Sequence, residues 1–210
     1  MSLTTFTERY RKWCRRHGYN FSQSRAIEIH SQAQDSIAML PRDALTKTMI
    51  RQAIDALNAV SSSLEQLKAE MRTLAAQLPE YPVVMAMRGV GDSLGPQLMA
   101  ELGDVTRFTH RNAITAFAGV DPGADQSGTY EAKSTRASKS GPPELRKALF
   151  LVMDCLLKTQ PADNPVYCFM DKKRAEGKPY LVYMTAGANK FPRIYYGRVK
   201  EYLASLEDSD

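Results

Sequence analysis

A heptad repeat of apolar residues is the feature that most constrains how this chain folds. Apolar residues recur every seven positions, and a second apolar series follows each of them by three: Ile50, Leu57, Leu64, Met71 and Leu78, with Ala53, Val60, Leu67 and Leu74. This spacing is typical of the seam of a coiled coil. One helix alone cannot bury such a stripe. The pattern therefore predicts either pairing with a second chain or an antiparallel hairpin with a preceding helix at 22–39, and the residues leave both open.

Prolines and capping residues divide the rest of the chain into helices. Ser22 and Asp43 are suited to cap helix N-termini, whereas Pro79 ends the heptad helix. We expect an N-terminal helical segment at 1–48, a coiled-coil helix at 49–78 and a C-terminal domain at 79–205. Within that domain we expect helices from 111 to 120, from Pro143 to about 158 and from 180 to 203, and one short strand near 129–132. The predicted fold class is mostly α, with a long coiled-coil helix followed by a small helical domain that contains a helix-hairpin-helix and a basic loop.

The composition indicates an intracellular globular protein. The chain has 210 residues, 43% of them hydrophobic, and a net charge of +5. Three widely spaced cysteines form no C-x-x-C pair, which argues for a reducing compartment and, with three scattered histidines, against a zinc site. No run of about eighteen apolar residues occurs, so we expect a cytoplasmic protein without a membrane partner and without a metal site of its own.

A glycine turn between two helical patterns predicts a phosphate contact. Gly89 and Gly91 flank a single valine, Arg88 precedes them, and an apolar helical pattern follows from Leu94. Glycine allows a sharp reversal of the backbone, and amides at the start of the next helix attract an anion. The pattern has the form of a helix-hairpin-helix at 83–103. The alternative is a plain helix-helix turn without a ligand.

A basic loop follows this turn. Between residues 117 and 149 the cations are interleaved with serine and glycine: Lys133, Arg136, Lys139, Arg146 and Lys147. Such a loop cannot bury much apolar area, and its charge suits the backbone of a polyanion. The loop predicts a nucleic-acid contact.

The N-terminal segment combines cations with aromatic residues. Phe6, Tyr10 and Trp13 share one helical face among five arginine and lysine residues between positions 9 and 16. We favour a helix that docks through its aromatic stripe, with a nucleic-acid contact as the alternative.

Five motifs in the second half of the chain point to one family. They are RGVGDSLGPQLMAELGDVTRF, AFAGVDPG, QSG, SKSGPPELRKALF and ANKFPRIYYGRVKEYL. In this order and spacing they closely resemble the C-terminal domain of insertion-sequence transposases of the IS-one-ten family. The resemblance covers residues 79–203, and the heptad stretch matches the family's coiled-coil linker in position and character.

This resemblance implies a site-specific DNA recombinase that moves an insertion sequence. DNA is then the partner, some members are guided by a structured RNA, and the coiled coil joins copies of the chain into a homo-oligomer. The serine of the QSG motif, Ser127, would be the catalytic nucleophile that links covalently to a DNA phosphate. Mg²⁺ would be bound by carboxylates of an N-terminal RuvC-like domain, which we do not find in this sequence. We therefore expect this chain to be inactive alone. The segment 136–141 also departs from the family pattern, which commonly has isoleucine before Ser-Lys.

Two other functions are compatible with the residues. One is a non-catalytic module that binds nucleic acid through the helix-hairpin-helix and forms dimers through residues 50–78. The other is a tyrosine recombinase, suggested by Tyr195 and Tyr196 beside Arg193 and Arg198. Three scattered histidines do not supply the residues which that mechanism needs, so we expect these tyrosines to pack inside a helical core.

Overall fold

The computed structural model of the chain describes residues 1–36, 41, 43–122, 126–127, 130–131 and 137–208, and only the backbone at 126–127 and 130–131. Its helices, in chain order, are α1 (Leu3–Arg16), α2 (Gln23–Asp35), α3 (Ala44–Ala75), α4 (Tyr81–Met85), α5 (Leu94–Leu102), a 3₁₀ helix (Val105–Arg107), α6 (Arg111–Ala118), α7 (Pro143–Thr159), α8 (Pro165–Ala175) and α9 (Tyr180–Glu207). Two short strands, β1 (Gln126–Ser127) and β2 (Tyr130–Glu131), pair antiparallel. The prediction of a mostly α fold is confirmed.

The chain divides into two compact units, Met1–Val60 and Ser61–Asp210. The boundary falls inside the long helix α3. Each unit is described by itself below. The predicted division at 48 and 78 remains a prediction.

The first unit contains a helical hairpin of α1 and α2. Each helix begins at a serine whose hydroxyl accepts a hydrogen bond from a backbone amide: Ser2 from Thr5, and Ser22 from Arg25. The buried contacts are small side chains, namely Thr7 and Cys14 on α1 and Ala26 on α2. Helix α2 ends at Asp35, before the predicted end near 39, and residues 37–40 lie outside the described ones.

Helix α3 carries the heptad stripe. Asp43 accepts a hydrogen bond from the Thr46 amide at its start, as its capping role predicts. The helix ends at Ala75, so the predicted last seam residue, Leu78, lies beyond it. The large side chains of the stripe within α3 are 40% to 67% exposed. Within the first unit, Ile50, Leu57 and Val60 are exposed, so α2 does not cover this part of the stripe.

The second unit is built around α7. The inward face of this helix is fully buried, with Leu145, Leu149, Val152, Met153 and Leu156 all at 0% exposure. Pro143 starts the helix as predicted, since its fixed φ suits the first turn. Helices α5, α6 and α9 pack against α7, and α9 also packs against α4 and α8. A Cβ on Gly187 of α9 would meet the sulfurs of Met153 and Met170 at 2.7 and 2.5 Å, so this crossing requires glycine.

Helix α8 is not among the helices that we expect from the sequence. Asn164 accepts hydrogen bonds from the amides of Val166 and Tyr167, and Pro165 occupies the first helical position. A capping residue followed by proline is itself a helix-start signal. Asn164 and Pro165 therefore form a helix-start signal that is visible in the sequence.

Candidate nucleic-acid interface

The basic loop rises from a two-stranded stem. The Lys139 amide donates to the Gly119 carbonyl at 3.0 Å, and the Ser138 amide donates to the Asp121 carbonyl at 2.9 Å. One further antiparallel bridge joins Pro122 and Ala137. Residues 119–122 and 137–139 therefore run side by side and define the two ends of the loop. We call these two segments the stem.

Two glycines fix the base of the stem. A Cβ on Gly119 would lie 2.6 Å from the Gly141 nitrogen, and a Cβ on Gly141 would collide with the Phe117 carbonyl oxygen. Gly119 also has φ +63°, a conformation that favours glycine. The end of α6 and the start of α7 thus approach each other so closely that neither position accepts a side chain.

Arg146 holds this base together from α7. Its guanidinium Nη1 donates a hydrogen bond to the Gly141 carbonyl, and the same nitrogen lies 3.0 Å from where a Cβ on Gly119 would be. The side chain is half-buried. Arg146 was predicted from sequence to hold a phosphate. The structure gives it a contact that stabilises the stem.

Helix α9 supplies a second support. The side-chain amide of Asn189 donates to the Val120 carbonyl at 3.0 Å, across 69 residues of sequence. Asn189 belongs to the ANKFPRIYYGRVKEYL motif, but the sequence alone assigns no role to this residue. Asn189 is half-buried, and its hydrogen bond satisfies a polar side chain that is partly removed from water.

The stem also carries a small polar cluster. The Ser138 hydroxyl donates to the Asp121 carboxylate and lies 3.2 Å from the Ser140 hydroxyl. This contact fastens one side of the stem to the other. Asp121 therefore stabilises the stem.

Ser127, the predicted nucleophile, lies in β1. Its Cα partner across the two-residue ladder is Tyr130 of β2, and Gln126 pairs with Glu131. The predicted strand near 129–132 therefore exists as β2, with β1 as its partner. Lys133 and Arg136, two of the predicted phosphate contacts, lie outside the described residues.

Two other predicted cations are exposed near the stem. Lys139 has φ +56° and lines a cavity of about 620 Å³ between the stem and α8 and α9. Lys147 lies exposed on the first turns of α7. Neither takes part in an ion pair within the described part of the chain. Both are therefore available to an anion, and the phosphate-binding role of Arg146 stays a prediction.

The glycine turn lies against the other end of α7. Gly89 has φ +84°, and a Cβ there would meet Leu156 Cγ at 3.0 Å and Val152 Cγ1 at 3.1 Å. Gly91 is exposed with open space around it. Arg88 is exposed and lies 3.5 Å from the Asp163 carboxylate, a pair of small energetic value in water. At 1.5 Å per residue, Arg146 and Leu156 are about 15 Å apart along α7.

The glycine turn joins two helices, α4 and α5, as the sequence predicts. The first helix, α4, has only five residues, whereas α5 has nine. Ser93 precedes α5 and makes no side-chain capping bond. The arrangement is two helices joined by a glycine turn that packs on the core, and the assignment as a helix-hairpin-helix remains a proposal.

The two tyrosines are packed as expected. Tyr195 is 1% exposed and Tyr196 is 7% exposed, and the Tyr196 hydroxyl donates to the Phe108 carbonyl. Burial, with a smaller contribution from the Glu80 charge, raises the pKa of the Tyr195 phenol well above its ordinary value. A buried phenol that holds its proton so tightly is a poor nucleophile. The tyrosine recombinase interpretation therefore loses its support.

Neither a metal site nor a membrane span emerges from the described residues. No three His, Cys, Asp or Glu side chains among them are grouped so that they could hold a metal ion. None of the described helices has the length and apolar character needed to cross a bilayer.

Comparison with known proteins gives matches to the part of the chain that contains the glycine turn and the stem. Residues 81–168 match the family model described as "Transposase IS116/IS110/IS902 family". Two curated relatives, each described as a pilin gene-inverting protein, come from Moraxella bovis and Moraxella lacunata and are each 30% identical over 95 residues. The matched region is 43% of this chain and 30% of each relative, so the match covers less than a third of the relatives' length. The stem, β1 and β2 all fall within the matched family region. Residues 81–168 of this chain are therefore similar to the IS116/IS110/IS902 transposase family over less than half of the chain.

Proposed function

We propose that this chain is the nucleic-acid-binding and serine-nucleophile part of a DNA transposase that mobilises an insertion sequence. The observation that carries the proposal is the family match at 81–168, which contains the glycine turn, the stem and Ser127. The two relatives are described as inverting a pilin gene, and inversion of a gene is also a DNA rearrangement. Guidance of the longer transposase by a structured RNA belongs to the same proposal.

The proposed chemistry is a phosphoryl transfer to Ser127. Its hydroxyl oxygen forms a bond to a DNA phosphorus while one bridging P–O bond of the phosphodiester breaks. The serine proton ends on the departing deoxyribose oxygen, and the DNA strand is left esterified to the protein. Attack on the ester by a hydroxyl of another strand reverses these steps and completes the exchange. The serine hydroxyl needs a group that activates it as a nucleophile. The negative charge that develops on the phosphoryl oxygens needs cations to stabilise it.

The stem explains how the chain would present this serine. Gly119, Gly141, Arg146 and Asn189 anchor both ends of the loop to α6, α7 and α9. A loop whose two ends are fixed to a scaffold is a common way to position a reactive side chain. Lys139 and Lys147 would contact phosphates beside it, with Lys133 and Arg136 as further contacts proposed from sequence alone. The backbone amides at Gly89 and Gly91 would hold a more distant phosphate, with Arg88 beside them.

The exposed stripe of α3 supports a homo-oligomer. Leu57, Leu64 and Met71 occupy one heptad position and are exposed, with Val60 and Leu67 at the partner position. Burial of a leucine side chain is favourable by roughly 1.5–3 kcal/mol, so an uncovered seam of this length has a strong tendency to pair. A second copy of the chain supplies the matching stripe. Two copies would bring two serines to one recombination complex.

The nucleophile is tested by trapping the protein–DNA ester. We would place this segment in a complete transposase and incubate it with a nicked DNA substrate that cannot be religated. We expect wild type to form a covalent adduct, which peptide mass spectrometry maps to Ser127, and Ser127→Ala to form none while binding DNA normally. Ser140→Ala, an exposed serine at the stem, should still form the adduct. An adduct at another residue, or an adduct with Ser127→Ala, would contradict the assignment.

A second candidate function is a non-catalytic module that binds nucleic acid and forms dimers. The exposed stripe on α3 and the glycine turn on α7 support it without any role for Ser127. It predicts binding that weakens steeply with salt and shows little sequence preference. The adduct experiment separates the two candidates, because the module would bind DNA but form no ester.

A further inference from the structure

An aromatic row lies on the α1–α2 hairpin, apart from the interface described above. The ring planes of Phe6, Tyr10, Trp13 and Tyr19 are nearly parallel, with successive interplanar angles of 4°, 10° and 8°. The ring centroids follow each other at 6.1, 6.2 and 5.2 Å. Three of these rings share a helical face, and Tyr19 continues the row from the turn after α1. We call this set the aromatic row.

The aromatic row exceeds what the hairpin needs for its own packing. The buried contacts between the helices are made by Thr7, Cys14 and Ala26. Trp13 is 47% exposed and Tyr19 is 62% exposed. Large aromatic side chains bury 150–250 Å² in typical cores, so roughly half of that contact area is unused here. Phe6 and Tyr10 are half-buried, and all four rings keep a common orientation, which is typical of a surface that binds flat groups.

The groove beside the row offers polar groups as well as rings. It has a volume of about 530 Å³ and is lined by Tyr10, Trp13 and Tyr19 together with Asn20, Ser22, Ser24, Arg25 and Glu28. Amide, hydroxyl and guanidinium groups can hydrogen-bond the edges of a base whose faces contact the rings. The lining is therefore mixed, unlike the purely apolar groove that receives an amphipathic helix.

The charge around the row selects an anionic partner. Helix α1 carries Arg9, Arg11, Lys12, Arg15 and Arg16, all exposed, against the single acid Glu8. None of the five cations forms an ion pair in the part of the chain that the structure describes. Cations next to partly exposed aromatic rings match a polymer with alternating phosphates and bases. A duplex hides its base faces in the stack, whereas an unpaired strand exposes them.

We propose that the aromatic row is a stacking platform for an unpaired stretch of nucleic acid, whose phosphates are held by the cations of α1. RNA and DNA share the chemistry that this surface recognises, and the 2′-hydroxyl is what distinguishes them. The inference concerns the first unit and does not depend on Ser127 or on the stem. Its failure would leave the proposed function of residues 81–168 untouched.

Trp13 provides a direct test, since it is the single tryptophan of the chain. A base stacked on its ring quenches the fluorescence of the indole. We would titrate the full chain with twelve-nucleotide oligo-U, with oligo-dT of the same length and with a blunt duplex of the same length. We expect quenching by the single strands and little by the duplex. A stronger effect of oligo-U than of oligo-dT identifies RNA as the ligand, the reverse identifies DNA, and equal quenching supports a surface that accepts both.

Variants separate stacking from charge. In a binding assay with labelled oligonucleotide, Trp13→Ala should weaken affinity about tenfold, as is typical for one stacked base, and Trp13→Phe should retain most of it. Tyr180→Ala, which removes an exposed aromatic from α9, should leave affinity unchanged. Far-ultraviolet circular dichroism of each variant shows whether the helices remain intact. If Trp13→Ala remains folded and binds as well as wild type, the proposal is overturned.

Two other results would also overturn it. Equal quenching by duplex and single strand would show that the cations attract any polyanion and that the rings do not contact bases. A shift of Trp13 emission that depends on protein concentration, without any response to oligonucleotide, would show that a second copy of the chain covers the row.

Discussion

Gly119 and Gly141 lie back to back at the base of the stem, so close that a Cβ on Gly119 would be 2.6 Å from the Gly141 nitrogen. This contact brings the end of α6 against the start of α7 and sets the distance between the two ends of the basic loop. The contact therefore fixes where the two ends of the loop leave α6 and α7.

Gly141→Ala should destabilise the second unit. The added methyl would collide with the Phe117 carbonyl oxygen, which is backbone and cannot rotate away. Overpacking of this kind typically costs about 1–3 kcal/mol. Chemical denaturation would measure the change in the free energy of unfolding.

The matched control for this substitution is Gly197→Ala in α9. Nothing lies within 4 Å of a Cβ at Gly197, and its backbone is helical. This variant should be unchanged or more stable by about 0.5–1 kcal/mol, because alanine favours helix over glycine. Equal effects of the two substitutions would contradict the close contact.

Arg146 and Lys147 are neighbours with different expected roles. Arg146→Ala removes the hydrogen bond to the Gly141 carbonyl and should lower the free energy of unfolding by about 1–2 kcal/mol. Lys147→Ala should leave stability within about 0.5 kcal/mol of wild type and weaken DNA binding instead. Denaturation and a DNA-binding titration on both variants check this division. The reverse pattern would return Arg146 to the phosphate-binding role that the sequence suggested.

Removal of an apolar seam residue should reduce self-association. Leu64→Glu places a charge in the exposed stripe of α3, where a second copy would have to desolvate it. We expect analytical ultracentrifugation to show a shift toward monomer. Gln66→Glu, on the same helix but outside the seam, should leave the association unchanged. A wild-type chain that is already monomeric at high concentration would contradict the coiled-coil proposal.

The buried phenol of Tyr195 predicts a loss of stability in alkali. Burial raises its pKa, so the folded chain holds this proton more tightly than the unfolded chain. The resulting stabilisation is fully present below the unfolded tyrosine pKa of about 10 and is lost as pH rises above it. Wild type should therefore lose more stability between pH 8 and pH 11 than Tyr195→Phe does. Tyr180→Phe, at an exposed position, should follow the wild-type curve.

Local signals predicted the helices well and the supports of the loop poorly. Ser22, Asp43 and Pro143 mark helix starts because capping and proline geometry depend on nearby residues alone. Asn189 and the Gly119–Gly141 contact depend on how distant segments cross, which spacing along the chain does not show. Arg146 shows the same limit of prediction from sequence, since its hydrogen bond to the Gly141 carbonyl is not visible in the sequence.

The heptad stripe shows a second limit of prediction from sequence. Its helical phase follows from the sequence, but the end of the helix at Ala75 depends on the turn that follows, and Leu78 falls outside it. The sequence left open whether α2 or another chain covers the stripe. The exposed side chains at 50–60 show that α2 does not cover the stripe within the first unit, and pairing with another chain requires an experiment.

The measurement that tests the central claim most directly is the salt dependence of duplex DNA binding by this chain. Wild type would be compared with Ser127→Ala and with the double variant Lys139→Ala/Lys147→Ala, at a series of salt concentrations. The account predicts steep salt dependence for wild type and the same curve for Ser127→Ala. The double variant should bind about tenfold or more weakly, with the slope of log affinity against log salt reduced by about two. Equal binding by wild type and the double variant, or binding that ignores salt, would contradict the claim that the stem holds a nucleic-acid backbone.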